Sequence, residues 1–443
     1  MALAPLPFGS VPPLWKNILS SASLGLLAAF LGLRARTVAW PAHGITLLAW
    51  ASALFCLACV WIWIQTLSIT PGAWHHPAWT IASEALDRPL DGSVSINPSG
   101  TVTDLISLLG VAAVFLIAVF EGRDPQQARR LVVAVALIGF AYAIYGLVVF
   151  FSGNEWVAWS PKRFYADSLS STFVNRNSYG VFAGLATLAA VALLTTGLAA
   201  ATARHKRMQD RLESWLQFVS GYGGIWLLAV LTGLTAQLLS ASRAANAASL
   251  VGIAVFLAIY LAVRRTKAPI LLTSLLLSTL LVTGFFMLSG DVLSDRLQMS
   301  DGTLETRADI YELTLIAIND HFWLGAGYGA FEDAFRLYSG LFDGFGPAFS
   351  AAHSVYLETI FELGVPAAIG LFLSVAICVY VCARGIFVRR RDRMYPALAI
   401  SATLIVGLQG IVDFAIQTPS IATLYAVILG LGVAQSTSRA PST

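Results

Sequence analysis

The sequence predicts an all-α polytopic membrane protein, on three observations. The first is composition: of 443 residues, 57% are hydrophobic and only 12% charged, about half the charge of an ordinary soluble domain. The second is a series of uncharged apolar runs near the ~20 residues that a helix needs to cross a bilayer. The third is an uneven distribution of lysine and arginine between alternate loops, which sets orientation.

Taken in order, about eleven spans (10–12) are expected, over 17–33, 44–66, 104–120, 131–151, 178–201, 223–241, 245–263, 268–288, 365–383, 397–412 and 420–435. The first and tenth are short. With the amino terminus outside, two thirds of the 27 basic residues fall on the inner side, in short loops such as those holding Arg129 and Arg130 or Arg389 to Arg391, while most acids fall outside. The first sixteen residues hold four prolines and a late Lys16, with no charged segment ahead of an apolar core, so no cleavable signal is expected. Residues 204–222 include WLQF and are expected to lie along the inner surface. The whole chain, 1–443, reads as one integral membrane domain, with 289–364 as a large outer loop carrying part of a site.

Cysteine chemistry is not indicated. Cys56, Cys59, Cys378 and Cys382 all fall in predicted spans with no histidine or acid beside them, so they read as packing residues. His75 and His76 adjoin in an outer loop and suit a metal or an ordinary loop, the latter being favoured. The spans are almost free of charge, which speaks against an ion-coupled carrier, because carriers keep acids and bases in their helices. Polar residues collect instead at outer helix ends, as expected of an enzyme working at the interface.

Three segments stand out there. In AAHSVYLETIFELG, residues 351–364, a helical reading puts His353, Leu357, Ile360 and Gly364 on one face with Tyr356 beside it, and Glu358 and Glu362 opposite. A histidine titrates near neutrality and takes a proton from a hydroxyl; a plain hydrogen-bonding role is equally compatible. Arg243 lies in a very short outer turn, against the positive-inside rule, and Arg307 begins the stretch RADIYELTLIAI, a short helix with Ile310, Leu313, Ile316 and Ala317 on one face. Guanidinium forks match paired phosphate oxygens, so the two arginines suggest a diphosphate site, with local salt bridges as the plainer reading. In SSTFVNRNSYG, Asn175, Arg176, Asn177 and Tyr179 suit sugar hydroxyls or a helix cap. The run LGAGYGAF, 324–331, follows no strand, so it is no dinucleotide fingerprint; it reads as a flexible loop near the site.

In that order, these motifs resemble the O-antigen ligase and polymerase superfamily of bacterial envelope glycosyltransferases. The likeness rests on the SRA turn at Arg243, the run from Arg307 through GxGxGxF to Phe331, and a histidine, a small polar residue, nine residues and a glycine, here His353, Ser354 and Gly364. The VDFAIQTP run at 411–418 is similar to exopolysaccharide polymerases of the group. Ala367 and the Phe322-Trp323 pair depart from the ligase pattern.

The resemblance implies a GT-C-like fold in the bacterial inner membrane with the site facing the periplasm. It implies an undecaprenyl-diphosphate-linked glycan donor, a glycan or lipid A-core acceptor, no metal or other cofactor, and no nucleic acid. His353 is then expected at the acceptor hydroxyl and Arg243 and Arg307 at the diphosphate, in an inverting transfer; Ser354, Tyr356 and Glu358 join Asn175, Arg176, Asn177 and Tyr179 as candidate substrate contacts. Polymerase, ligase and protein O-oligosaccharyltransferase share this chemistry. A bicarbonate-like solute transporter and a non-catalytic scaffold are the readings from other classes.

Overall fold

A computed structural model describes residues 1–34, 44–203, 207–263, 309–339, 351–389 and 392–438. Among them the chain forms helices α1 (Pro13–Arg34), α2 (Ile45–Gln65), α3 (Pro77–Ala85), α4 (Pro98–Glu121), α5 (Pro125–Phe151), α6 (Arg176–Thr202), α7 (Met208–Ser220), α8 (Gly224–Leu239) and α9 (Arg243–Val263). Then follow α10 over residues 309–320, α11 (Phe331–Ser339), α12 (Val355–Leu363), α13 (Val365–Val388), α14 (Met394–Gln409) and α15 (Pro419–Thr437). Trp156–Val157 and Ser160–Pro161 pair as a minimal antiparallel ribbon.

Local chemistry explains where several helices begin. The Asn97, Asp124 and Asn175 side chains accept backbone N–H bonds at the starts of α4, α5 and α6, and prolines occupy the first turns of α4 and α5. Such caps satisfy donors that the first turn leaves unpaired.

Eight helices are long and apolar enough to span a membrane. They match eight of the eleven expected spans. Two others, α8 and α14, have only 16 residues. At about 1.5 Å per residue these fall short of a ~30 Å hydrocarbon layer. α8 meets α7 at 71°, which would make the pair one broken span. The eleventh, 268–288, lies outside the described residues. The class is therefore that of a polytopic helical membrane protein.

The core is α6 and α15, with 72% and 83% of their most apolar stretch buried, against 11% for α1. Lipid tails attract a helix as well as another helix does, so close packing of small side chains must hold the bundle. α6 supplies them: a Cβ added to Gly139 of α5 would meet Ala186 Cβ, and one added to Gly184 would meet Ser249 Oγ. At one end, Gln435 Nε2 bonds Gly122 O at 2.7 Å and Arg389 bonds Ser438 O at 2.7 Å. The other end gathers the carboxyl ends of α2, α8 and α14 and the amino ends of α4, α6, α9 and α15. It is the end that the charge pattern assigns to the outside.

Candidate active site

The turn between α8 and α9 is tight. Ala241 takes a φ of 52°, Ser240 and Ser242 are buried, and Arg243, half-buried, opens α9. The first turns of α6 pack directly on it: a Cβ on Gly180 would meet Ala245 Cβ at 2.8 Å and Ser242 Cβ at 3.4 Å. Asn175 is the cap of α6, its Oδ1 accepting from Asn177 N–H at 2.8 Å. The Arg176 guanidinium lies 5.1 Å from the centre of the Tyr165 ring. Tyr179 is fully buried, and its hydroxyl has no hydrogen-bond partner among the described residues. Ser178 Oγ accepts from Thr418 Oγ1 at 3.2 Å, which ties this region to the turn between α14 and α15.

That turn leads to His353. The helix expected over 351–364 starts later, at Val355, with Ser354 as its cap residue. His353 precedes it, in the left-handed region at φ 54°. The cause is Glu358: its Oε2 accepts from Ala352 N–H at 2.9 Å and folds the approaching chain back onto the helix. Val355 N–H bonds Gly410 O at 2.9 Å, and the Tyr311 hydroxyl donates to His353 O at 3.1 Å. The His353 ring lies 5.6 Å from Phe414.

Glu358 is buried, and its Oε1 accepts from Gln417 Nε2 at 2.8 Å. Its carboxyl is pushed up to about 7, chiefly by burial, while its two hydrogen bonds oppose the shift. Glu362 is raised as well, by burial and by Glu358, and accepts from Phe331 N–H at 3.1 Å. The Tyr356 hydroxyl donates to Gly407 O at 2.9 Å. Ser354 is buried.

Gly364 ends α12 as its C-cap residue. It sits at φ 76°, ψ 155° between α12 and α13, and a Cβ there would meet Trp323 O at 2.6 Å. The close neighbour is a loop backbone.

The glycine run 324–331 is firmly packed rather than loose. Gly325, Gly327 and Gly329 have φ of 71°, 112° and 73°. Ala326 N–H bonds Phe361 O and Gly327 N–H bonds Glu362 O, both at 3.0 Å, while Tyr328 N–H bonds Gln65 Oε1 at 3.2 Å. Gln65 also donates to Leu324 O and Glu362 O, at 2.8 and 2.9 Å. This buried amide knots α2, α12 and the glycine run together. Apolar periodicity does not point to it; the signal in the sequence is a lone glutamine in WIWIQ, the kind of polar break that marks a partner. Asp413 and Gln417 lie in the 411–418 run, and no local spacing ties them to α12. On α10, Ile310, Leu313 and Ala317 are buried against Phe331, Phe335 and Phe361. Ile316 is exposed.

The structure thus brings Arg243, the cap of α6 and His353 to one end of the bundle, linked through residues 410–418. Arg307 lies outside the described residues, as do 289–308 and 340–350 of the large loop. Around the gathered elements, Tyr179 Oη, Ser242 Oγ, the Asn246 amide and Asp413 Oδ2 are buried with no partner among the described residues. Buried polar atoms are nearly always paired, and exceptions gather where a ligand or water completes them.

Fold and site together define a multi-span helical membrane protein with a polar centre at one membrane face. Residues 228–372, about a third of the chain, match the family model described as O-Antigen ligase. The match runs from α8 into α13, includes Arg243, Arg307 and His353, and supports the O-antigen ligase family with its ligase- or polymerase-type glycan transfer. Among curated proteins no match to the chain was found.

Proposed function

We propose that this protein transfers a glycan from an undecaprenyl-diphosphate-linked donor to an acceptor sugar hydroxyl at the periplasmic face of the inner membrane. The reaction is one inverting displacement that needs no metal. His353 accepts the proton of the acceptor hydroxyl. The hydroxyl oxygen bonds the anomeric carbon of the donor as the bond from that carbon to the diphosphate oxygen breaks. The electron pair leaves with the polyprenyl diphosphate, and Arg243 and Arg307 stabilise its charge where it develops. The cap of α6, with Asn175, Arg176, Asn177 and Tyr179, lines the donor side. Ser354, Tyr356 and Glu358 hold the histidine segment beside the acceptor.

The observation that carries this reading is the convergence of the Arg243 turn, the α6 cap and the strained His353 around buried polar atoms that have no partner among the described residues. The test is mass spectrometry of polyprenyl-diphosphate-linked glycans in cells with and without the protein. Accumulated single repeat units mark a polymerase. Long chains retained on the carrier mark a ligase or a protein O-oligosaccharyltransferase. An unchanged carrier pool, in cells without a redundant enzyme, overturns the proposal.

A further inference from the structure

At the far end of α12 from His353, the loop after α2 and the chain leaving α10 enclose a cavity of ≈ 590 Å³. Small-ligand pockets run from about 300 to 1,000 Å³. Trp74, His76, Asn319, Asp320, His321 and Trp323 are among the residues that line it. Its frame is held by backbone: His76 N–H bonds Ser93 O at 2.9 Å, Val365 N–H bonds Phe322 O at 2.8 Å, and Gln65 holds Leu324 O. On that frame Trp323 and Trp74 stay 71% and 41% exposed. Two large aromatic rings are thus presented to solvent by a backbone that is itself pinned.

Among the described residues the polar part of the wall consists of three histidines, one asparagine and one acid. The rings of His76 and His321 stack with centres 4.9 Å apart and planes within 6°. Burial lowers both, His76 to about 4, so both are neutral near pH 7. His76 Nδ1 accepts from Ala78 N–H at 3.3 Å, which leaves the ring proton on Nε2, a buried donor with no partner among the described residues. Asp320 accepts from the Tyr338 hydroxyl at 3.0 Å.

Among the described residues no lysine or arginine lines the cavity, so a phosphate or carboxylate would meet no counter-charge from them. Among the described residues no three His, Cys, Asp or Glu side chains group to hold a metal ion. What remains is a neutral ligand with apolar faces and many hydroxyls. Aromatic rings cover the faces, and neutral imidazole, amide and carboxylate edges alternate donors and acceptors for the hydroxyls.

We infer that this cavity is a glycan subsite that grips a neutral sugar unit away from the reacting end. The inference rests on the glycan-transfer reading and adds a second binding position to it. Nine residues of α12 separate the cavity from His353, about 13 Å at the helical rise, so the unit held there is not the one that reacts. Binding energy gained at such a distance acts on the ground state and the transition state alike, so it lowers KM more than it raises kcat.

The test uses the full-length protein in phosphatidylcholine nanodiscs on an array of neutral oligosaccharides of glucose, galactose, mannose, rhamnose and N-acetylglucosamine. At least one of them is expected to bind, and Trp323→Ala and Trp74→Ala each to weaken that binding tenfold or more. Both side chains are exposed, so both variants are expected to keep the wild-type thermal unfolding midpoint. In a transfer assay each variant raises KM for the glycan acceptor more than it lowers kcat. No bound oligosaccharide, or binding that both variants leave within twofold, overturns the subsite and assigns the rings to the membrane interface, where tryptophan is common. If His353→Ala abolishes transfer while the tryptophan variants leave KM alone, the subsite fails and the transferase reading stands. If oligosaccharides bind through Trp323 but the carrier pool is unchanged in cells lacking the protein, the cavity is a sugar site and the transferase reading fails.

Discussion

His353 carries its ring on a backbone with a φ of 54°, where a residue with a Cβ is strained by about 1 kcal/mol or more. The bonds from Ala352 to Glu358 and from Tyr311 to His353 O hold it there, so the ring direction is imposed by its surroundings. His353→Ala is expected to lower transfer by ~10²–10⁴, the usual worth of a general base, measured with a labelled lipid-linked donor on folded protein; near-normal transfer removes the base assignment. Arg243→Lys keeps the charge and loses the fork, and is expected to cost ~10²–10³ in rate. A variant as fast as wild type would show that no bidentate contact is made. Glu358 predicts a pH effect. Its carboxyl ionises near 4.5 in the unfolded chain and near 7 when folded, so between those values folding takes up a proton and stability falls as the pH rises. Below 4.5 the contribution is complete. Glu358→Gln stays neutral, so its thermal unfolding midpoint should fall less between pH 4.5 and 7.5 than that of wild type; parallel curves would show that the buried carboxyl is ionised. The cap at Asn175 was legible in the sequence because a cap is local. The partners of Glu358 were not. Ala352 lies six residues before it and Gln417 belongs to another turn, and helical periodicity relates residues only within one element. The stacked His76 and His321 are hidden for the same reason.

Helix α12 shows what a span pattern conveys and what it omits. Apolar runs located α13 from its composition alone, because lipid imposes that composition on any spanning helix. They also located α8 and α14, yet not their lengths of 16 residues, since a helix end depends on the turn that follows. The break at Gly364 was the least legible feature. A helical reading runs straight through LETIFELG, and only the bond from Val365 N–H to Phe322 O and the nearness of Trp323 O turn the chain there. With φ 76° and ψ 155°, Gly364 occupies a region almost closed to other residues, so Gly364→Ala is expected to cost about 1–3 kcal/mol and to lower the unfolding midpoint. Gly370, one and a half turns into α13, has nothing within 4 Å of a built Cβ. Gly370→Ala should therefore be neutral or gain up to ~1 kcal/mol from helix propensity. Equal losses in the two variants would show that α13 tolerates no side chain on either face and that the special conformation at Gly364 is not the cause.

For the whole molecule, the sidedness of charge and the gathering of polar residues are one statement made twice. Basic residues such as Arg123, Arg129, Arg389 and Arg393 lie at the end where Gln435 meets Gly122 and Arg389 meets Ser438. Arg243, His353, Glu358 and Glu362 lie at the other end, with the cavity of Trp323. The donor proposed for this site is an anionic lipid-linked diphosphate, so the role proposed for half-buried Arg243 requires its end of the bundle to face the compartment holding that donor. The positive-inside rule makes that compartment the outside, and the orientation can be measured without reference to activity. Glu84, exposed in α3, belongs to the outer end, and Gln126, exposed at the start of α5, to the inner. Cys378 and Cys382 are buried, and Cys56 and half-buried Cys59 lie along the middle of α2, where lipid covers them, so background labelling is expected to be low. In intact spheroplasts a membrane-impermeant maleimide should label Glu84→Cys, and it should label Gln126→Cys only after permeabilisation. The reverse pattern would put His353 and Arg243 on the cytoplasmic side. The fold and the family match would survive that result, but the periplasmic transfer proposed for the site would not.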